Sequence, residues 1–324
     1  MTSTPAARPP VASDLAIHVA DGLRQSPKTL SSMYFYDKTG SELFQQIMGL
    51  PEYYPTRAEY GIFVADGPAI AAALDPAGAP GPFALVELGA GDGLKTKLLL
   101  RELLATANDF TYVPVDISPS ALDGLAASLA AELPGLRTVP VATDYATALA
   151  QLAARPGRKA VLFLGSNIGN FTPIERAAFL AQLAAPLGAA DRLLIGFDLQ
   201  KDPRRIRAAY DDAQGVTAAF NLNLLVRLNR ELGADFDLAH WQHYTEYDPM
   251  TGAARSYLVS TRAQAVRVKA LQHTFAFAAW EVIHTENSYK FTQPQIAALA
   301  AAAGMRVVAT FTDGDFADVV LARA

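Results

Sequence analysis

The stretch Glu87-Leu-Gly-Ala-Gly-Asp-Gly93, with Lys95 and Thr96 just beyond, closes an apolar run and opens a helical one. A strand that turns into a helix through closely spaced glycines lets the backbone approach a ligand, since glycine has no Cβ and tolerates positive φ. The turn nearly fits the phosphate loop GxxxxGK[ST], with Gly89, Lys95 and Thr96 in place. It also nearly fits the dinucleotide pattern GxGxxG, with Gly89 and Gly91. Both patterns need glycine at position 94, and both find Leu94. What remains is an acid, Glu87, ahead of G-x-G-x-G (Gly89, Gly91, Gly93). Two more acids follow later apolar runs. Asp116 ends "YVPVD", where a carboxylate takes ribose hydroxyls. Asp144 and Tyr145 follow "VAT", where an acid meets an adenine amino group and a ring lies on the base. Asp116 alone also reads as a helix cap; three sites in register at one sheet edge weaken that reading.

These residues need a parallel sheet to line them up. Strands are expected at Phe83–Leu88, Phe110–Asp116, Arg137–Ala142, Ala160–Gly165 and Arg192–Asp198, separated by Ala-rich helical stretches. One helix opens at Ser118 with Pro119 in its first turn, another at "TPIE", where Thr172 and Glu175 form a capping box. Strands alternating with helices imply a parallel α/β sheet, with ligands at its carboxyl edge. The alternation stops at Gln200. A helix-rich segment follows, then a hairpin in "WQHYTEYDPMTGAARSYLVSTR" with its loop at 248–252, and two more strands in "AVRVKA" and "TFAFAAWEVIH". The α/β pattern returns with helix Pro294–Ala303 and strands Met305–Phe311 and Phe316–Ala322.

The totals narrow the function. Apolar residues make up 51% and charged residues 18%, enough for a sizeable core. Net charge is −5 with no basic tract, which argues against nucleic acid or an anionic membrane as partner. The absence of cysteine excludes disulfides and thiolate metal sites, and a reducing, cytoplasmic setting is natural. No apolar run has the length of a membrane span. The Pro- and Ala-rich residues 1–13 read as a disordered tail.

An acid before G-x-G-x-G, with acids after the next two strands, resembles S-adenosylmethionine-dependent methyltransferases. Longer stretches narrow the resemblance: "MYFYDKTGSELFQQIMGLPEYYPTRAE", "ELGAGDGLKT", "FLGSNIGNFTP", "AYDDAQGVTAAFNLNLLVRLNRELGADFDL" and "HTENSYKF". They resemble the L-histidine Nα-methyltransferases of ergothioneine biosynthesis from about Leu23 to the C-terminus. That implies a Rossmann-like class I fold with a mostly parallel seven-stranded sheet and a second α+β substrate domain. The expected division is 64–200 with 291–324 for S-adenosylmethionine, and 14–63 with 201–290 for the substrate. The resemblance implies three methylations of the histidine α-amine by a monomer, giving hercynine. It implies Glu87, Gly89, Gly91, Lys95, Asp116, Asp144 and Tyr145 at the cofactor. Around the amino acid it implies Tyr53, Gly165, Asn170, Tyr210, Glu286, Asn287 and Ser288. Asn170 and Tyr210 would hold the carboxylate, Glu286 and Ser288 the imidazole, and Tyr36 or Tyr53 would stand near the transferred methyl. Ser256 is expected at the imidazole pocket's rim, where some relatives carry Met. That change and Asn287 leave a tryptophan-derived substrate as an alternative. An NAD-dependent oxidoreductase or a non-catalytic nucleotide binder fits less well, given Leu94 and the full acceptor pocket.

Other polar residues have plainer readings. His240 and His243, at helical spacing, lack further ligands for a metal, and His18, His273 and His284 are isolated. Asp211 and Asp212 read as a solvated helix face, and the Asn229–Glu231 stretch as a surface ion pair.

Overall fold

The computed structural model describes residues 13–76, 79, 81–106 and 109–324. Of the tail expected over residues 1–13, only Ser13 is described; the rest lies outside. Ser13 caps α1 (Asp14–Gly22), its hydroxyl accepting from the Ala16 N–H at 3.3 Å. Then come β1 (Lys28–Thr29), α2 (Lys38–Met48) and the long α3 (Tyr54–Leu74). The alternating part follows as β2 (Phe83–Leu88), α4 (Thr96–Thr106), β3 (Phe110–Asp116), α5 (Pro119–Glu132), β4 (Val141–Ala142), α6 (Tyr145–Ala154), β5 (Arg158–Phe163), α7 (Pro173–Ala184) and β6 (Arg192–Asp198). Helices α8 (Pro203–Tyr210) and α9 (Val216–Leu232) lead to β7 (Trp241–Asp248), β8 (Ala253–Ser260), β9 (Gln264–Val268), β10 (His273–Phe277) and β11 (Val282–Tyr289). The chain closes with α10 (Gln293–Ala302), β12 (Met305–Thr312) and β13 (Phe316–Arg323).

It divides into two compact units. The larger, Tyr53–Pro203 with Asp248–Ala253 and Asn287–Ala324, holds a seven-stranded sheet in the order β12-β13-β6-β5-β2-β3-β4. Strands β4, β3, β2, β5 and β6 run parallel, and β13 runs antiparallel to both β6 and β12. Successive side chains of a strand face opposite ways, so each strand feeds two cores. Val86, Val113, Val161 and Ile195 pack with Leu149 of α6, Leu180 of α7 and Ile296 of α10. Leu85, Tyr112, Leu162 and Leu194 pack with Phe63 of α3, Leu99 of α4 and Leu125 of α5. Helices thus cover both faces, the class I methyltransferase architecture expected.

The expected strand 137–142 shrinks to β4 plus an isolated Tyr112–Thr138 bridge. Pro114 of β3 has no N–H to give the facing chain between the bonds made at Tyr112 and Asp116, which interrupts the pairing. "TFAFAAWEVIH" holds two elements, because the chain turns between β10 and β11 with Trp280 at φ 68°.

The smaller unit comprises residues to Glu52, Arg204–Tyr247 and Ala254–Glu286. It contains most of a four-stranded sheet, β1-β11-β8-β7, and the β9–β10 hairpin. The short β1 pairs in parallel with β11, Lys28 opposite Ile283, so the segment ahead of α2 joins the four-stranded sheet and not the seven-stranded one. Residues 54–63 count with the larger unit, since α3 is one continuous helix whose Ala58, Ile62 and Phe63 share a core with β2 and β3.

Phe63 is 2% exposed within that core. Phe63→Ala is expected to lower the unfolding free energy by about 3–5 kcal/mol. Urea titration checks this, and a loss under about 1 kcal/mol contradicts the packing.

Candidate active site

In the turn after β2, Gly89, Gly91 and Gly93 have φ of 76°, 53° and 67°. That backbone strains any other residue. A Cβ on Gly89 would lie 2.8 Å from the Tyr145 hydroxyl, and one on Gly93 2.5 Å from Leu125. A Cβ on Gly91 would meet nothing within 4 Å, so the turn faces open space there.

Asp116, at the end of β3, grips this turn. Its Oδ2 accepts from the Gly91 N–H at 3.0 Å and its Oδ1 from the Ser118 N–H at 2.9 Å. Ser118, not Asp116, caps α5. Asp144 caps α6, accepting from the Thr147 N–H at 2.8 Å and the Thr147 hydroxyl at 3.2 Å. The Thr147 N–H in particular holds its carboxyl below the ordinary range. The Tyr145 ring stands edge-on to Phe163, centroids 5.5 Å apart.

Glu87 lies beneath the turn, 3% exposed. Thr96 donates to its Oε1 at 2.6 Å, and the Tyr112 hydroxyl donates to its Oε2. Its carboxylate therefore braces the turn from inside. Burial pushes its pKa up to about 7, against those two hydrogen bonds.

Two buried charge clusters were not legible beforehand. Glu59, on α3 and 0% exposed, accepts from the Gly165 N–H at 2.8 Å and 3.1 Å and from the Lys95 ammonium. Burial pulls the Lys95 pKa down, and the charge and hydrogen bond of Glu59 more than reverse it. In the second cluster, Asp198 at the end of β6 accepts from the Tyr54 hydroxyl at 2.8–2.9 Å, from the Lys201 ammonium and from the Lys290 ammonium at 2.8 Å. Its N–H donates to the Ser166 hydroxyl at 2.9 Å. Glu59 and Tyr54 were hidden in an apolar helical stretch, and only their distant partners mark them.

The larger unit brings together most of the expected residues. Tyr53 precedes α3, half-buried, its carbonyl accepting from Arg57 at 3.2 Å. Gly165 and Asn170, both exposed, bracket the 3-10 turn after β5. Ser288 is buried, its hydroxyl accepting from Lys290 at 2.8 Å. Asn287 is half-buried and projects from the other face of β11.

The remaining three belong to the smaller unit. Tyr36 is 40% exposed and edge-on to Phe44 and Phe220, at 5.5 and 5.6 Å. Tyr210 is buried on α8, its carbonyl accepting from Thr245 at 3.0 Å. Glu286 is half-buried on β11, on the same face as His284, which meets Tyr257 at 5.4 Å. Ser256 lies on the opposite face, fully covered beside Thr285.

His240 ends a 3-10 turn and His243 lies in β7, not on a helix. Among the described residues no group of three His, Cys, Asp or Glu suits a metal. Asp211 pairs with Arg207, while Asp212 receives the Val216 and Thr217 N–H groups at the start of α9.

A glycine turn and strand-end acids, on a sheet that ends in an antiparallel β12–β13 pair, define a class I methyltransferase. The chain belongs more narrowly to the family described as histidine-specific methyltransferase, SAM-dependent, which matches residues 15–323. Its cofactor is S-adenosylmethionine. The histidine N-alpha-methyltransferase of Mycolicibacterium smegmatis is 43% identical over 300 residues, covering 92% of this chain and 91% of the relative. That of Mycobacterium tuberculosis is 42% identical with the same coverage. Ergothioneine biosynthesis protein 1 of Neurospora crassa is 30% identical over 90% of this chain, which spans 33% of that protein.

The raised pKa of Glu87 has a thermodynamic consequence. Between its ordinary value of 4.5 and about 7 the folded protein holds a proton that the unfolded chain has released. This group's contribution therefore makes stability fall as pH rises through that window. Glu87→Gln is expected to remove up to about 3 kcal/mol of that fall. Denaturant titrations of both proteins from pH 5 to 8 measure it, and parallel stability curves would refute it.

Proposed function

We propose that the protein transfers three methyl groups from S-adenosylmethionine to the α-amine of free L-histidine, giving hercynine within ergothioneine biosynthesis. The observation that carries the substrate is the 43% identity to a histidine N-alpha-methyltransferase across 92% of the chain.

The turn fits the cofactor: the side-chain-free Gly91 leaves room above it, and Asp116 stands beside it. In this reading Gly89, Gly91 and Lys95 lie along the amino-acid part of the cofactor, Asp116 takes the ribose hydroxyls, and Asp144 and Tyr145 take the adenine. Glu87 supports them from below. When bound, the cofactor supplies an electrophilic methyl on a sulfonium. In this reading the larger unit is the cofactor's domain and the smaller one the substrate's.

For the substrate, Asn170 and Tyr210 hold the α-carboxylate, Glu286 and Ser288 recognise the imidazole, and Gly165 and Asn287 line the site. Tyr36 and Tyr53 face the amine. A displacement at a neutral amine needs positioning more than acid-base help. The amine must still shed a proton before each attack, and Tyr36, Tyr53 or a bound water relays it to solvent. Tyrosine rings also accept the growing methylammonium by contact with their faces. The enzyme acts in the cytoplasm as a monomer. Among the described residues no helix is long and apolar enough to cross a membrane.

Mass spectrometry after incubation with S-adenosylmethionine and a mixture of the common amino acids tests the reading. Histidine alone should gain up to three methyl groups. Methylation of tryptophan or another amino acid instead would move the substrate, and no methylation would overturn the activity. Asp116→Ala is expected to weaken S-adenosylmethionine binding about ten- to hundredfold by calorimetry, the loss of hydrogen bonds to a charged acceptor. Unchanged affinity would remove Asp116 from the cofactor site.

A further inference from the structure

Asp318 has no part in the roles above. It lies within β13, 0% exposed, and neither of its oxygens receives a hydrogen bond from a described residue. A carboxylate buried in that way is costly. Its surroundings follow from the sheet register. Asp318 stands directly opposite Gly196 of β6, so the two residues share a face of the sheet. Phe316 and Val320, two places to either side, pack on that face with Ala58 and Ile62 of α3. Gly196 has no side chain to intervene, and a Cβ there would run into Glu59 Oε1. Over that glycine Asp318 meets Glu59, with which it shares a hydrogen bond.

Two carboxyl groups in such contact cannot both ionise, so they hold a proton between them. Glu59 is occupied as an acceptor, by the Gly165 N–H at 2.8 Å and 3.1 Å and by the Lys95 ammonium. The proton therefore sits on Asp318. Burial, and then the charge of Glu59, drive the Asp318 carboxyl well above the ordinary range. Lys95 has donors to spare: an ammonium carries three, and among the described residues it gives one, to Glu59. Its Nζ lies 3.7 Å from where a Cβ on Gly165 would stand, and the Asn167 amide nitrogen lies at the same distance. That amide nitrogen is also 3.5 Å from where a Cβ on Gly89 would stand. Two donors thus converge on the notch between the glycine turn and the turn after β5, and an anionic group suits them both.

We propose that Asp318 is a positioning residue for the cofactor: it bears the proton of the Asp318–Glu59 pair and donates it to Glu59, so that Glu59 engages one donor of Lys95 and the rest of the ammonium is left for the cofactor's carboxylate. This rests on the reading that lays Lys95 along the amino-acid part of S-adenosylmethionine, and deepens it. Without the Asp318 proton, Glu59 would draw a second donor from Lys95. With an ionised Asp318, two carboxylates would contend for one ammonium. Either way the cofactor's carboxylate would lose a partner.

The test uses the full-length protein with S-adenosylmethionine and with decarboxylated S-adenosylmethionine, which keeps the sulfonium and the amine. Calorimetry reads both affinities. Lys95→Met should weaken S-adenosylmethionine about tenfold and leave the decarboxylated form within about twofold. If it does not, the placement of Lys95 has failed, and this inference falls with it. Asp318→Leu, similar in size but without a donor, should also weaken S-adenosylmethionine about tenfold, with the decarboxylated form nearly unchanged. Asp318→Asn, whose amide N–H donates in place of the acid, should restore S-adenosylmethionine to within about twofold of wild type. Equal loss of both ligands in Asp318→Leu would mean a merely structural aspartate and overturn the proposal, as would no loss, or an Asp318→Asn variant as weak as Asp318→Leu. Tighter S-adenosylmethionine binding in both Asp318 variants would mean an ionised Asp318 that competes for Lys95, and overturns it too. Should Asp318→Leu fail to fold, infrared spectra of wild type and Asp318→Asn decide. A protonated-carboxyl band is expected in wild type and missing in Asp318→Asn, and it should shift with S-adenosylmethionine but not with the decarboxylated form. Absence of that band, or an equal shift with both ligands, overturns the proposal.

Discussion

The ion pair between Glu59 and Lys95 is the interaction on which the ligand edge of the large sheet depends. Glu59 comes from α3, Lys95 from the glycine turn, and the Gly165 N–H that Glu59 also accepts from lies just past β5. One carboxylate thus ties together three segments far apart in the chain. Removing one partner of such a buried pair costs about 3–5 kcal/mol, because the other charge is left unanswered. Neighbouring residues are chosen around it. A Cβ on Gly196 would come within 2.4 Å of Glu59 Oε1, so β6 carries glycine at the point where the carboxylate crosses it. Asp318, fully buried on β13, has its pKa driven well up by burial and then by the charge of Glu59, which favours its neutral form. A second full negative charge in that interior would compete with Glu59 for Lys95.

The glycines were legible in the sequence because their reason is local. A turn that must take positive φ names its own residue, and a capping box such as Thr172–Glu175 is complete within four residues. The alternation of strand and helix was legible for the same reason. Asp198, Glu59 and Lys290 were not. In a single sequence a buried charge has the same letter as a solvated one, and what distinguishes it is a partner at long range. Tyr54 and Asp198 are separated by 144 positions, and Glu59 and Gly165 by 106. Strand length misled where a residue of the neighbouring strand carried a veto, as Pro114 of β3 does ahead of β4.

The strand β11 joins the two problems, since burial changes parity along it. Ile283 and Thr285 are covered at odd positions, Ser288 at an even one, and the change falls between Glu286 and Asn287, where the chain leaves one unit for the other. Glu286 and Ser288 share a face by the pleat but are embedded differently. One is a half-buried carboxylate, the other a covered hydroxyl whose partner is a fixed ammonium.

That difference bears on how such a site discriminates. A pocket that only fits an apolar ring separates close analogues by about 1–3 kcal/mol. Polar groups committed in advance do more, because the wrong ligand leaves them unpaired and desolvated. A serine free to rotate is a weak discriminator, since it can donate or accept as the ligand requires. Ser288 accepts from the Lys290 ammonium, and Lys290 keeps its place because Asp198 and the Gly252 carbonyl hold it.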